Sequence, residues 1–397
     1  MDWGLVMRKI VIIGANEFQN PLILKAREMG LETHVFAWQE GAIGEENGDY
    51  FYPVSITEKE RILEECQRIQ PDGVATIGSD LAMVTVQYVA SRLGLPCCTQ
   101  DCLRRSTNKY LMRQAFDRAG IQVPFYQCVD GEMDLAEDWG RDFPFPVIVK
   151  PTDRSGSRGV TKVCRHGELG EAVRRAIGVS FEKKAIVEGF ISGSEYSFES
   201  ISVGGAHRRL AVTKKYTTGV PNYIEVGHVE PSGLSEEICA IAEDSVFRAL
   251  DALGIRDGAS HAEFKVDDQG MVHLIEIGAR MGGDCIGSDL VCLSTGYDYV
   301  KMVIQVSLGE EVSFDRAGQS GVAVVRFLFS QDDLEHLRWI QREFPDRIVR
   351  VGGIEEDFSR KVEDSGSRHG YYILQCHSLE EAEYLAKLGD SAGMARA

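Results

Sequence analysis

His261-Ala262-Glu263-Phe264-Lys265-Val266-Asp267-Asp268-Gln269-Gly270-Met271-Val272-His273-Leu274-Ile275-Glu276-Ile277-Gly278-Ala279-Arg280 reads as two strands around a turn. If Gln269 and Gly270 form a two-residue turn, Glu263 and Glu276 face each other on one side of the hairpin. Like charges directly opposite across two strands repel. A divalent cation between them removes that penalty, and Mg²⁺ favours one or two carboxylates together with phosphate oxygens. A slip of one residue would send the two glutamates to opposite faces, so the inference depends on the turn. The plainer alternative is an exposed hairpin in another register. Arg280 follows Glu276 by four residues, where the strand ends. A guanidinium there can grip a carboxylate or a transferring phosphoryl group.

Upstream, Val187-Glu188-Gly189-Phe190-Ile191-Ser192-Gly193-Ser194-Glu195 places two carboxylates around a glycine turn. A solvated edge is the ordinary reading of such a pair. In an adenosine pocket, one would reach the amino edge of adenine and the other would accept from ribose hydroxyls. Further upstream, Val149-Lys150 leads into Ser155-Gly156-Ser157-Arg158-Gly159 and out through Val160-Thr161-Lys162-Val163. Backbone N–H groups of such a loop can surround phosphate oxygens. It is no Walker loop, because Gly-Lys-Ser/Thr is missing and a strand follows in place of a helix. A glycine hairpin lying over phosphates fits better, with Lys150 as a point charge. Many hairpins carry Gly and Ser for turn reasons alone.

At the N-terminal end, residues 8–14 read as a buried parallel strand, followed by a helix to Met29 and a strand from Leu31 to Trp38. A helix over 57–69, a strand over 73–77 and a helix over 83–93 continue the alternation of a parallel α/β sheet to about residue 104. Gly-Ala-Asn-Glu-Phe-Gln after Ile13 is not Gly-x-Gly-x-x-Gly, so a nicotinamide-binding dehydrogenase receives little weight. Gly14 is then only a tight strand-to-helix turn. The carboxyl ends of parallel strands often meet ligands, which makes Asn16, Gln19, Ser79 and Asp80 weak substrate-side candidates. Ser106 or Thr107 can cap a helix containing Lys109. Strands are expected at 144–150, 160–164, 185–191 and 195–203, with helices at 169–177 and 236–253. A last small unit has strands at 321–329 and 370–376 and helices near 332–343 and 379–387.

The chain has 397 residues, 44% hydrophobic and 26% charged, an ordinary globular balance. No apolar run approaches the roughly 20 residues of a membrane span. Residues 1–8 lack the apolar core of a secretory signal, and Met7 could serve as the initiator. Ten cysteines follow no zinc pattern, which favours reduced thiols and a cytoplasmic location. A net charge of −18 without basic clusters disfavours nucleic acid. An anionic substrate then requires a local basic pocket.

The ordered set resembles the ATP-grasp superfamily over about residues 8–310. That resemblance implies an α/β plus α+β architecture. It has a parallel N-terminal domain (1–104), an ATP-grasp domain (105–310) whose lid spans about 120–190, and a small C-terminal α+β domain (311–397). It implies that Lys109 and Lys150 contact ATP phosphates under the loop carrying Ser155, Gly156, Ser157 and Gly159. Glu188, Phe190 and Ile191 would form the adenine hinge, and Glu195 would take the ribose. Glu263 and Glu276 would hold Mg²⁺, with Mn²⁺ as a substitute. Many members carry Glu-x-Asn-x-Arg with the asparagine as a further ligand, whereas Gly278 here supplies none.

The run Glu276-Ile-Gly-Ala-Arg280-Met-Gly-Gly-Asp284 is similar to the L-amino-acid ligases, which make dipeptides. So is Glu225-Val226-Gly227-His228 with Pro231 after it. That similarity implies catalytic roles for Arg280 and His228, and substrate contacts at Gly282, Gly283 and Glu225. For His228 the ordinary alternative is a loop histidine capped by backbone. The implied reaction is ATP-dependent joining of a carboxylate to an amine through an acyl phosphate, with ADP and phosphate released. The partners would be small molecules, and a homodimer is compatible with this reading. A bicarbonate-activating carboxylase of the purine-pathway type and a nucleotide-binding module without turnover are the competing readings.

Overall fold

The computed structural model describes residues 7–131, 138–220, 223–317 and 320–388. The start of the chain, residues 1–6, lies outside them. The first sheet is all parallel, in the order β3-β2-β1-β4, with β1 Lys9–Ile13, β2 Glu32–Ala37, β3 Tyr50–Pro53 and β4 Gly73–Ala75. Ile10, Val11, Ile12 and Ile13 are fully buried, as a strand covered on both faces requires. Helices α1 (Asn20–Glu28), α2 (Lys59–Ile69) and α3 (Asp80–Leu93) pack on this sheet. The short strand β3 has no clear signal in the sequence.

Helices α4 (Gln100–Thr107) and α5 (Lys109–Arg118) follow. The cap of α5 is neither Ser106 nor Thr107, which lie in the last turn of α4. Asn108 caps it, its side chain accepting from Tyr110 and Leu111 N–H. An antiparallel four-stranded sheet comes next, in the order β5-β8-β6-β7. Its strands are β5 Tyr126–Asp130, β6 Val147–Pro151, β7 Thr161–Val163 and β8 Lys184–Gly189, and α6 (His166–Val179) packs on it.

The largest sheet has eight strands: β9 Ser194–Val203, β10 Ala206–Thr217, β11 Glu225–Glu230, β12 Gly258–Val266, β13 Val272–Gly278, β14 Val322–Phe327, β15 Ile348–Gly352 and β16 Tyr371–Cys376. Their order is β13-β12-β9-β10-β11-β14-β16-β15, antiparallel throughout. The last unit read from the sequence therefore extends this same sheet through the β11–β14 pairing. The remaining α-helices among the described residues are α7 (Glu236–Leu253), α8 (Val291–Thr295), α9 (Tyr299–Ser307), α10 (Gln331–Glu343) and α11 (Leu379–Leu385). Among the described residues no helix is long and apolar enough to cross a membrane.

The β12–β13 turn differs from the two-residue turn expected. Val266 pairs with Val272, which leaves a five-residue loop, 267–271. Asp267 orders it by accepting from the N–H groups of Gln269 and Met271, both at 2.9 Å. That loop alone would put Glu263 and Glu276 out of register. A bulge restores it: Phe264 pairs with Leu274, Glu263 pairs with Glu276, and Ile275 is the extra residue.

Candidate functional site

Glu263 and Glu276 are thus directly opposite each other, but their repulsion is already offset by the protein's own cations. Lys109 Nζ lies 3.0 Å from Glu276 Oε2 and donates to the Arg154 carbonyl at 2.8 Å. Lys215 Nζ donates to Glu263 and also lies 3.4 Å from Glu195 and 3.8 Å from Glu225. Burial alone would favour a neutral Lys215, but the three surrounding carboxylates outweigh it and hold the ammonium charged. The register explains this convergence. Glu195 on β9 sits opposite Lys215 on β10 and Lys265 on β12.

Glu188 is almost wholly buried. Arg113 donates to one of its oxygens, and Lys150 Nζ lies 2.6 Å from the other. Burial raises the pKa of the Glu188 carboxyl, yet the two cations outweigh burial and hold it at about 2. Its side chain is therefore committed to fixing Lys150. Each of its two oxygens thus carries one cation, and the residue also lines a nucleotide-sized cleft. In the hinge beyond Glu188, Phe190 N–H is tied to the Pro146 carbonyl at 3.0 Å, and Lys162 lies over the Phe190 ring at 3.8 Å.

One cleft gathers Lys109, Lys150, Ser155, Gly156, Ser157, Glu188, Phe190, Ile191, Glu195, Glu225, Glu263 and Glu276. The loop over it touches the other wall through Ser157 Oγ, 3.3 Å from the Tyr223 carbonyl. Gly159 is not among the lining residues. A Cβ there would meet Val179 at 2.6 Å, so this glycine serves packing against the end of α6. Among the described residues, no three His, Cys, Asp or Glu side chains are arranged to hold a metal ion. Two opposed carboxylates facing a lysine-lined cleft do fit an ion that draws its other ligands from a nucleotide.

A second, wider cavity adjoins this cleft, sharing Lys109, Arg154, Ser155 and Glu276 with it. Arg280, His261 and Asp80 line it. The Arg280 fork is occupied: Nε and Nη2 donate to Asp80 at 2.8 and 2.9 Å, and Nη1 donates to the Met281 carbonyl at 3.2 Å. Asp284, four residues on, instead receives two hydrogen bonds from Arg368, at 2.9 and 2.7 Å.

At Gly282 and Gly283 the protein itself occupies the space that a side chain would take. A Cβ on Gly282 would meet the Glu199 carboxylate at 2.7 Å and His261 at 2.9 Å, and its N–H donates to Glu199 at 3.0 Å. Gly283 packs against Gly78. His261 in turn bonds Glu199 and lies 3.4 Å from Glu263. Burial lowers the pKa of His261, but Glu199 beside it prevails and lifts it to about 9.

His228 is buried with both ring nitrogens lacking a hydrogen-bond partner; Asp284 Oδ2 is 3.8 Å from Nε2. Burial holds its pKa below the usual imidazole range. Glu225 accepts from Ser365 Oγ.

Sequence reasoning missed Lys215, Arg113, Asp80's partner and the Glu199–His261 pair. Only the register of β10, a strand not read from the sequence, could have placed Lys215 beside Glu195.

A family model described as ATP-grasp domain matches residues 143–289, which contain the loop, the hinge and both opposed glutamates. Residues 143–289 of this chain thus form an ATP-grasp domain. The chain's ATP-grasp fold, a parallel N-terminal sheet with central and C-terminal antiparallel sheets, covers nearly its whole described length. The chain is 29% identical over 203 residues to D-alanine--D-alanine ligase B of Chromobacterium violaceum, covering 50% of this chain and 66% of that one. It is 26% identical over 249 residues to alanine--anticapsin ligase of Bacillus subtilis, covering 56% and 51%. The chain thus spans about half to two thirds of the length of these relatives. The crystal structure of an L-amino acid ligase from Bacillus licheniformis superposes with a TM-score of 0.81, 24% identity and 96% coverage of both chains. That of N5-carboxyaminoimidazole synthetase from Staphylococcus aureus, complexed with ADP, gives 0.76 at 16% identity, with 95% of each chain covered. At these identities the structural likenesses show the ATP-grasp fold alone.

Proposed function

We propose that this chain is an ATP-dependent carboxylate–amine ligase that forms an amide or peptide bond through an acyl phosphate, with an amino acid among its substrates. The observation that carries this reading is the cleft in which the opposed Glu263–Glu276 pair, Lys109, Lys150 and the glycine loop converge. The ligase names among the curated relatives support the amine-joining chemistry. The division into 1–104, 105–310 and 311–397 goes with it, the second and third parts sharing one sheet.

In this reading the hinge 189–191 holds adenine, and Glu195 takes the ribose. Lys150, locked by Glu188, and Lys109 meet the phosphates. Glu263 and Glu276 would hold Mg²⁺, which when bound neutralises charge on the phosphate oxygens. A substrate carboxylate oxygen attacks the γ-phosphorus, and the bond to the β–γ bridging oxygen breaks to release ADP. The two N–H groups of Arg280 not engaged by Asp80 or Met281 face the transferring phosphoryl group. The amine then attacks the carbonyl carbon, and phosphate leaves. The loop 152–159 excludes water that would hydrolyse the acyl phosphate.

The competing carboxylase reading keeps bicarbonate as a second carboxylate to test. ATP turnover scanned across single and paired amino acids, with and without bicarbonate, decides between them. Amino-acid-dependent ADP and phosphate, with a condensed product by mass spectrometry, is the expected result. AMP and pyrophosphate would refute the acyl phosphate.

A further inference from the structure

We propose that Asp80 is a positioning residue of the reacting site. It is delivered by the N-terminal sheet, aims Arg280, and fills the space that Gly278 leaves open. The inference rests on the reading above, in which Arg280 meets the transferring phosphoryl group.

Asp80 is the first residue of α3, and Ser79 caps that helix by accepting from Ala82 N–H. The segment before it is anchored: Thr76 Oγ1 donates to the Ile13 carbonyl at 2.7 Å, inside the parallel core. Gly78, with φ +64°, donates its N–H to the Met281 carbonyl at 3.3 Å and approaches Gly283 so closely that a Cβ there would lie 3.2 Å from Gly283 Cα. The loop 76–80 therefore grips 280–283 by backbone contacts, and Asp80 adds a two-point fork. Such a fork fixes the plane of a guanidinium as well as its position. Three of the five Arg280 N–H groups are used, so their partners set the direction of the other two.

Gly278 belongs to the same arrangement. A Cβ built on it would lie 3.2 Å from Asp80 Oδ1 and 3.4 Å from Arg280 Cζ. A side chain at 278 and the Asp80–Arg280 fork compete for one volume. Burial of Asp80 opposes its charge, but Arg280 prevails and keeps it ionised. A mere interface staple is the competing reading, and it predicts lower stability with no effect on a bound phosphoryl group.

The test uses the full chain and nucleotide alone. Binding of MgADP is compared with binding of MgADP plus aluminium fluoride, a mimic of the phosphoryl group in transfer. Wild type should bind the fluoride complex more tightly than MgADP by about tenfold or more, as expected when oriented donors meet developing charge. Asp80→Asn and Arg280→Ala should each lose most of that gain, with MgADP affinity changing little, and the double variant should lose no more than Arg280→Ala. If Asp80→Asn does not fold, Gly278→Ala adds one methyl to the contested space, keeps both charges, and should show the same loss. Loss in Arg280→Ala with the gain intact in Asp80→Asn or Gly278→Ala overturns the proposal and leaves the active-site reading standing. No gain in wild type, or a gain that survives Arg280→Ala, removes Arg280 from the phosphoryl group and overturns both.

Discussion

Two arginine–aspartate forks clamp the five-residue run from Arg280 to Asp284, one at each end and with opposite polarity. At the first, Arg280 reaches back to Asp80; at the second, Asp284 receives Arg368. Their chemistry differs in what is left over. Arg368 also donates to the Ser365 and Glu225 carbonyls and lies 3.5 Å from the centre of the Phe327 ring. Nearly all of its hydrogen-bonding capacity and one face of its plane are spent within the protein. Arg280 keeps two N–H groups and lines a cavity with Glu276 and His261. A closed fork stabilises; a fork with spare donors can also act. The comparison therefore places effects on turnover on the Arg280 side and effects on stability on the Arg368 side.

The largest effect belongs to Glu276, on the first side. Glu276→Gln should lower turnover by roughly a thousandfold or more, the scale of several kcal/mol of charge stabilisation, while the fold persists. Near wild-type activity at limiting Mg²⁺ would remove the metal assignment. Arg280→Lys keeps a charge but cannot fork, so kcat should fall about a hundredfold with ATP Kd little changed. A preserved kcat with a lowered Tm would make this fork as structural as the other. Arg368→Lys should show the reverse pattern: a loss of about 1.5–3 kcal/mol in stability, the worth of a charged hydrogen bond. Its kcat per folded molecule should stay near wild type, and a selective loss of kcat would erase the distinction.

The smallest signal is an acid slope from Glu188, a paired carboxylate that belongs to neither fork. Its pKa is depressed from 4.5 to about 2 in the folded chain. Its stabilisation is thus complete above about pH 4.5 and is lost as pH falls toward 2, at no more than about 1.4 kcal/mol per pH unit. Chemical denaturation at stepped pH should show a shallower acid slope in Glu188→Gln than in wild type. An unchanged slope in that variant would move the acid sensitivity elsewhere.

The two forks also show where a single sequence stops being informative. The opposed glutamates were legible, because strand alternation is a local property. The route to them was not, since a five-residue loop and a bulge at Ile275 give the same pairing as the tight turn expected. Arg280 stood out as functional, yet its partner lies 200 positions away, and nothing local favours Asp80 over the nearby Asp284. Gly282 and Gly283 illustrate a real ambiguity. Glycine marks close approach, but the sequence does not say whether a ligand or the protein itself approaches. Lys215 went unread because β10 went unread, and a lysine in an unassigned stretch has no cross-strand neighbours to give it meaning.

The continuity of the eight-stranded sheet bears on how the chain can be divided. The strand carrying His228 is bordered on one side by β10 and on the other by β14. A fragment ending near residue 310 would keep every cleft residue and still lose the cover of that second side. The bared row of N–H and C=O groups would recruit another copy, and such a fragment should come out of solution as aggregate. The parts of this molecule can be told apart by eye, but scissors placed between them would cut through a shared weave.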